Sequence, residues 1–223
     1  MSYFVHIFVY LCIYSLAVLG LNFVVGSCGR LSLAQASIVA VGAYTYAISR
    51  VSFAVGFVPA ILFAGVAGAI ASFPLALLAW RYRGDMFVLV SIAFQALLYS
   101  LASNWFSTGR PLGSVANMTN GPFGILGIPA PSLFGLAQHS PESLIVIAAP
   151  VIAVTAVLCS AALRSPWARA LRALRDDELA AYGLGKDVRR LLIESFAVCG
   201  LLSGLAGALY ASYVGFIDPS IAT

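Results

Sequence analysis

Residues 57–80 read FVPAILFAGVAGAIASFPLALLAW, an unbroken run of 24 residues without a charge. As a helix rising 1.5 Å per residue it would extend about 36 Å, enough to cross the roughly 30 Å of hydrocarbon in a bilayer. Pro74 inside it marks a place for a kink. Five further runs of similar character flank it: Tyr3–Val25, Leu31–Ser49, Met86–Trp105, Leu144–Leu163 and Ser195–Tyr213. The fold class that follows is an all-α integral membrane protein, a polytopic transmembrane helix bundle of about six spans. Composition agrees, since 61% of the 223 residues are hydrophobic and only 9% charged, against about 25% charged in a soluble domain. The first run is longer than a signal-peptide core and no basic region precedes it, so it reads as a span that stays.

Charge placement predicts orientation. Gly26–Arg30 separates the first two runs, and an arginine at mid-membrane would cost about 2.5–3.5 kcal/mol, so the chain surfaces there. Of the twelve basic residues, ten fall on one side: Arg30, Arg81, Arg83 and the seven between Arg164 and Arg190. Only Arg50 and Arg110 fall opposite. The positive-inside rule then puts the N-terminus outside and the Arg-rich loop inside. The net charge of +4 is concentrated in that loop, which argues for a cytoplasmic face and against nucleic acid as a partner.

The outside connection, 106–141, has six glycines and four prolines before Pro141, a density that specifies turns. Asn117-Met-Thr119 fits a glycosylation pattern, but such tripeptides are common by chance. On the inside, Ser165 and Pro166 open a helix with Trp167, Leu171 and Leu174 on one face and Arg169, Arg172 and Arg175 on another, stopped by Gly183 and Gly185. This segment reads either as a solvated basic loop or as a docking surface. The alternation with apolar residues and the Ala180–Ala181 pair favour docking.

Polar groups in the spans include Ser32, Gln35, Ser37, Thr45, Ser91, Gln95 and Ser100. Ser32, Gln35 and Ser37 lean to one side at helical spacing and, with Gln95, could line a path. They could equally hydrogen-bond neighbouring helices or their own backbone. Gly200-xxx-Gly204, Ser203-xxx-Gly207 and Ala64-xxx-Gly68 are spacings that let helices approach closely. Asp85 and Glu194 sit at the starts of spans. Cys12, Cys28, Cys159 and Cys199 are scattered and read as small apolar side chains. His6 and His139 join no metal-ligand cluster.

Three stretches together resemble a known family. Gly20-Leu-Asn22 with Gly29-Arg-Leu-Ser-Leu-Ala-Gln-Ala36 and Gly42-Ala-Tyr-Thr45 form the first; Asn120-Gly-Pro-Phe-Gly124 with Gly127-Ile-Pro129 the second. Arg169-Ala-Leu-Arg-Ala-Leu-Arg-Asp-Asp-Glu178 through Ala180, Ala181 and Gly185, then Gly204-Leu-Ala-Gly-Ala-Leu-Tyr210, form the third. In this order they resemble the permeases of branched-chain amino-acid ATP-binding-cassette importers, the LivM/LivH type. Glu178 departs from the pattern, standing one residue further from the alanine pair than in the widely shared Glu-Ala-Ala sequence.

The resemblance implies one permease domain over 1–223, incomplete at its C-terminus because family members usually continue through further helices. Residues 164–192 would be its cytoplasmic coupling segment, with Arg169, Arg172, Arg175, Glu178, Ala180, Ala181 and Gly185 as the contacts. Arg172 and Arg175 would pair with acidic groups of an ATPase. The implied partners are a second permease subunit, two cytosolic ATPase subunits, a periplasmic or extracellular solute-binding protein and membrane lipid, in a bacterial-type inner membrane. No GxxxxGK[ST] occurs, so the chain is read as a non-enzymatic transport subunit with no cofactor of its own, ATP being used by the partner subunits. The solute is a branched-chain amino acid or a related small polar solute. A stand-alone secondary transporter or channel is the rival, disfavoured because no acidic residue or histidine lies near the centre of a span. A membrane enzyme would need convergent catalytic groups at one depth, and none is visible.

Overall fold

Inside a bilayer no water is available to hydrogen-bond the backbone, so each chain segment must satisfy its own N–H and C=O groups, and all six apolar runs are helical over most of their length. The computed structural model describes residues 2–114, 116–129, 132–133, 136–137 and 141–222, side chains of 2, 132–133, 136–137 and 141–148 excepted. In chain order it contains α1 (Ser2–Leu21), continued by a π-helical stretch Asn22–Ser27, then α2 (Gln35–Val51), α3 (Phe57–Arg81) and α4 (Asp85–Asn104). After β1 (Ile125–Leu126), β2 (Ser132–Leu133) and β3 (Leu136–Ala137) follow α5 (Pro141–Arg164), α6 (Pro166–Asp176), α7 (Glu178–Gly183), α8 (Val188–Val214) and β4 (Phe216–Ile217).

Four of the described helices are long and apolar enough to cross a membrane: α1 with its π-helical extension, α3, α4 and α8. The described part of α5 joins α6 across a 65° bend, and the pair passes as one broken span. α2 has 17 residues, about 26 Å, slightly less than the hydrocarbon thickness. It starts at Gln35, later than the apolar pattern, because residues 28–34 are held as a non-helical connection: Arg30 N–H bonds the Val24 carbonyl at 3.1 Å and Leu33 N–H bonds Ser91 Oγ at 3.1 Å. α8 starts at Val188, before Ser195, because the Asp187 carboxylate accepts the Arg190 N–H at 3.0 Å and caps it.

The core is built where α8 crosses α2 and α3. A Cβ on Gly204 would lie 2.2 Å from the Ala64 carbonyl oxygen, and one on Gly68 would lie 2.2 Å from that of Gly200. On the other side, a Cβ on Gly207 would lie 2.1 Å from the Val39 oxygen. The small-residue spacings therefore have identified partners: Gly200 and Gly204 seat α8 on Ala64 and Gly68 of α3, while Ser203 and Gly207 seat it on α2. Such proximity admits no side chain between the helices.

The outer connection is pinned to the segment after α8 by an antiparallel pairing of β1 with β4, Ile125 opposite Ile217. Thr119 Oγ1 donates at 2.7 Å to the Ala102 carbonyl at the end of α4. Asn117 Nδ2 donates to the Arg110 carbonyl at 3.0 Å, and the side chain is buried, so the Asn-Met-Thr tripeptide is a turn element here. His139 lies outside the described residues. His6 Nδ1 contacts the Tyr213 hydroxyl, tying the start of α1 to the end of α8.

Gly204→Ala forces two backbones apart and should cost about 1–3 kcal/mol. The thermal midpoint of the purified protein in detergent should fall by about 2–4 °C per kcal/mol. Gly183→Ala, where nothing lies within 4 Å of an added Cβ, should leave the midpoint level or raise it. Equal midpoints for the two variants would contradict this packing.

Candidate functional site

The bundle has one strongly basic end. α6 begins where Ser165 Oγ accepts the Ala168 N–H at 3.4 Å and Pro166 takes the first helical position. Its apolar face, Ala168, Leu171 and Leu174, is buried, and Trp167 stacks obliquely on Phe23 with centroids 5.7 Å apart while its Nε1 donates to Glu194 at 2.8 Å. Glu194, one and a half turns into α8, also accepts Arg190 Nε at 2.7 Å. α7 is capped separately, with Asp177 Oδ1 accepting the N–H groups of Leu179 and Ala180 at 2.8 and 3.1 Å. Two independently capped helices at one end make a formed projection, and not a solvated basic loop.

α7 has two faces. Ala181 is 1% exposed and lies in the same apolar cluster as Cys28, Ile38, Phe87 and Phe196. The Glu178 carboxylate turns the same way, accepting Arg30 Nη2 at 2.8 Å and Arg83 Nη2 at 2.9 Å. Leu179 and Leu184 are each 75% exposed, beside exposed Ala180 and Gly185, the latter at φ +72°. Arg189 lies 5.2 Å over the Trp80 ring, whose Nε1 donates to the Tyr182 hydroxyl at 3.3 Å.

The arginines of α6 engage this chain's own carbonyls. Arg175 Nη1 donates to the Gly26 oxygen at 2.8 Å and its Nε to Asp176 at 3.4 Å; Arg172 Nη2 reaches the Leu163 oxygen, and Arg169 Nη1 that of Arg164 at 3.4 Å. All three remain exposed along the edge of the projection. The residues that sequence reasoning overlooked are Arg30, Arg83 and Trp80. The signal available was charge complementarity: Arg30 and Arg83 stand on the same side as the only glutamate of the coupling segment.

The polar residues assigned to a path do not share a side, which corrects that expectation. Ser32 precedes α2, and Gln35 and Ser37, two positions apart, diverge by about 200° around the helix. Gln35 Nε2 bonds Ser203 Oγ and, at 3.3 Å, the Ala17 carbonyl, while its Oε1 accepts Cys199 Sγ at 3.2 Å. It borders a cavity of about 500 Å³ between α1, α2 and α8, also lined by Tyr14, Tyr210 and Ser220. Ser37 bonds the Ala34 carbonyl at 2.8 Å and borders a different cavity, about 360 Å³, between α2, α4 and the outer connection. Ser32 Oγ accepts the Ala34 N–H at 3.4 Å. Gln95 lies on a third groove with Leu33, Ile92 and Tyr99. Among the described residues no group of three His, Cys, Asp or Glu side chains could hold a metal ion.

Cys28 closes the connection to α2, its Sγ donating to Ser195 Oγ at 3.2 Å. Burial pushes this thiol up to about 11, against the smaller lowering by Ser195 and Arg30. At pH 8 about one thiol in a thousand is then ionised, and only the thiolate reacts. Maleimide at pH 8 should leave Cys28 unmodified in the folded protein and label it after denaturation in dodecyl sulfate, as read by peptide mass mapping. Full labelling of the folded protein would contradict the burial.

Comparison with known proteins gives one family. A family model described as the branched-chain amino acid transport system permease component matches residues 3–223. The high-affinity branched-chain amino acid transport system permease protein LivM of Escherichia coli strain K12 is 31% identical over 230 residues, covering 93% of this chain and 52% of that protein. LivM of Salmonella typhimurium strain LT2 gives the same identity and coverage. The chain spans about half the length of the curated relatives it matches. No solved structure matches it.

Proposed function

The chain belongs to the permease component family of branched-chain amino acid transport systems, and from that premise we propose that it is a membrane-embedded subunit of an ATP-driven importer for branched-chain amino acids or a related small polar solute. It is a multi-pass membrane protein of a transport family, and the membrane proposed for it is a bacterial inner membrane. The partners proposed are a second permease subunit, two cytosolic ATPase subunits that use the ATP, and an external solute-binding protein.

The observation that carries this reading is the outward face of α7. Leu179 on α7 and Leu184 just past its C-terminal end, each 75% exposed, stand at the basic end of the bundle, and the other face of α7 is buried in the core. A membrane supplies no reason for two bare leucines in water beside arginines, whereas a cleft on an ATPase does. In the docked assembly Leu179, Ala180, Leu184 and Gly185 would enter such a cleft, with Ala180 and Gly185 permitting close approach. Arg169 and Arg172, with Arg175, would form the basic rim that steers acidic groups toward it. Ala181 would support the contact from behind.

For the solute, the candidate path narrows to Gln35. Its cavity of about 500 Å³ falls within the usual range for small-molecule sites, and its walls combine aliphatic side chains with hydroxyls and one amide. Such walls suit a solute with an aliphatic side chain. Ser37 and Gln95 border other spaces and Ser32 bonds the Ala34 N–H; all three are assigned to helix packing in this reading.

Leu179→Glu with Leu184→Glu should remove the apolar anchors, worth about 2 kcal/mol at an interface hot spot. Recovery of ATPase subunits with the tagged permease after gentle extraction should drop about thirtyfold. Undiminished recovery, measured by mass spectrometry, would refute α7 as the docking helix.

A further inference from the structure

Glu178 sits between the two leucines of the docking face and the interior, and its environment separates it from them. Its side chain is 12% exposed, whereas Leu179 next to it is 75% exposed. A glutamate meant for an ATPase would stand in water before assembly. This one is already engaged by two arginines from two different inter-helix connections. Arg30, 11% exposed, belongs to the α1–α2 connection and lies five residues before the start of α2. Arg83, 57% exposed, belongs to the α3–α4 connection and lies next to Gly84, the residue at φ +54° that precedes α4.

Both connections lead into helices that run from the basic end toward the outer one. α2 carries Gln35 at its first position, and α4 forms the far wall of the cavity that Ser37 borders. A second contact reinforces the first of these links: Arg175 holds the Gly26 carbonyl at 2.8 Å, on the π-helical end of α1. The α6–α7 projection therefore grips the chain leaving α1 at two points, Gly26 and Arg30, and the α3–α4 connection at one point.

Resting on the importer reading, we propose that Glu178 is a positioning residue of transport: an internal clamp that ties α7 to the inner ends of α2 and α4 through Arg30 and Arg83 and hands them the displacement imposed by the ATPases. The carboxylate does not contact the ATPase. Its work is done within this chain, by two charge-assisted hydrogen bonds short enough to transmit a pull.

The test uses the assembled transporter in proteoliposomes, with retained ATPase, ATP hydrolysis and solute uptake measured on the same preparation. Glu178→Gln keeps the shape and removes the charge. It should retain ATPases in wild-type ratio and continue to hydrolyse ATP, with uptake per ATP reduced at least about fivefold, the lower bound of a typical coupling between sites. Arg30→Gln and Arg83→Gln should each lower uptake per ATP as well, and adding either to Glu178→Gln should lower it no further, since the contact is already lost. Should Glu178→Gln fail to accumulate in the membrane, Glu178→Asp, one methylene too short to reach both arginines, carries the same expectation. Loss of the ATPases from either Glu178 variant would make Glu178 a docking contact and overturn the clamp, as would unchanged uptake per ATP or a further, additive fall when Arg30→Gln is joined to Glu178→Gln. A wild-type chain that retains no ATPase would overturn the importer reading itself, whereas retained ATPases with unchanged uptake per ATP overturn the clamp alone.

Discussion

The backbone-to-backbone crossing of α8 with α2 and α3 is the contact on which the other packing depends. In lipid, helices gain nothing from hiding leucine, since the solvent is as apolar as the side chain. What draws them together is dispersion at short range and hydrogen bonds across the seam, and both need the main chains close. Gly204 against Ala64 and Gly65, Gly200 against Gly68, and Gly207 against Val39 bring α8 within reach of both neighbours at once. This proximity also lets Ser203 Oγ meet Gln35 and lets Cys199 Sγ reach the same amide at 3.2 Å. A bulkier seam would separate these groups and leave the Gln35 amide with the Ala17 carbonyl as its remaining partner, its oxygen unpaired in a medium where that is costly.

At the basic end a different physics operates. Arg30 and Glu178 are both nearly buried, at 11% and 12% exposure, so their pairing offsets a desolvation cost that neither could bear alone. Arg83 adds a second partner from more exposed ground. Beneath the ions lies an apolar layer in which Leu171, Leu174 and Ala181 meet Val24, Leu75 and Phe87. The projection is thus seated by hydrophobic contact and oriented by charge. Neither alone would fix it: the apolar layer is non-directional, and surface ion pairs without it would contribute little.

Much of this architecture was legible in the sequence, and the failures have physical causes. The apolar runs, the Ser165–Pro166 start of α6 and the small-residue spacings are local patterns, set by periods of three to four residues, and each has its counterpart in the structure. The partners of Glu178 were not legible, because Arg30 and Arg83 lie 148 and 95 positions away and periodicity carries nothing across such distances. The departure of Glu178 from the family spacing was a usable clue: moved one residue from the alanine pair, it shares the buried face with Ala181 while Leu179 and Ala180 face outward. The serines misled for another reason. In the helices Ser37, Ser72, Ser91 and Ser195 each bond a carbonyl three residues back, so a polar letter in a span reports backbone chemistry as readily as a pore.

The two kinds of packing divide the molecule mechanically. In the most apolar stretch of α8 61% of the residues are buried, whereas in that of α4 11% are. Interlocked backbones in α2, α3 and α8 resist sliding, because a shift of one residue would drive a side chain into a neighbouring carbonyl. Among the described residues α4 has no such seam. Its inner end is governed by Arg83 and by Gly84, where a positive φ gives a turn that other residues rarely adopt. A force applied to α7 would therefore reach the interlocked block through Arg30 and the less embedded α4 through Arg83. The two ends of one carboxylate would then produce relative motion between α4 and the block, opening or closing the space that lies between α2 and α4.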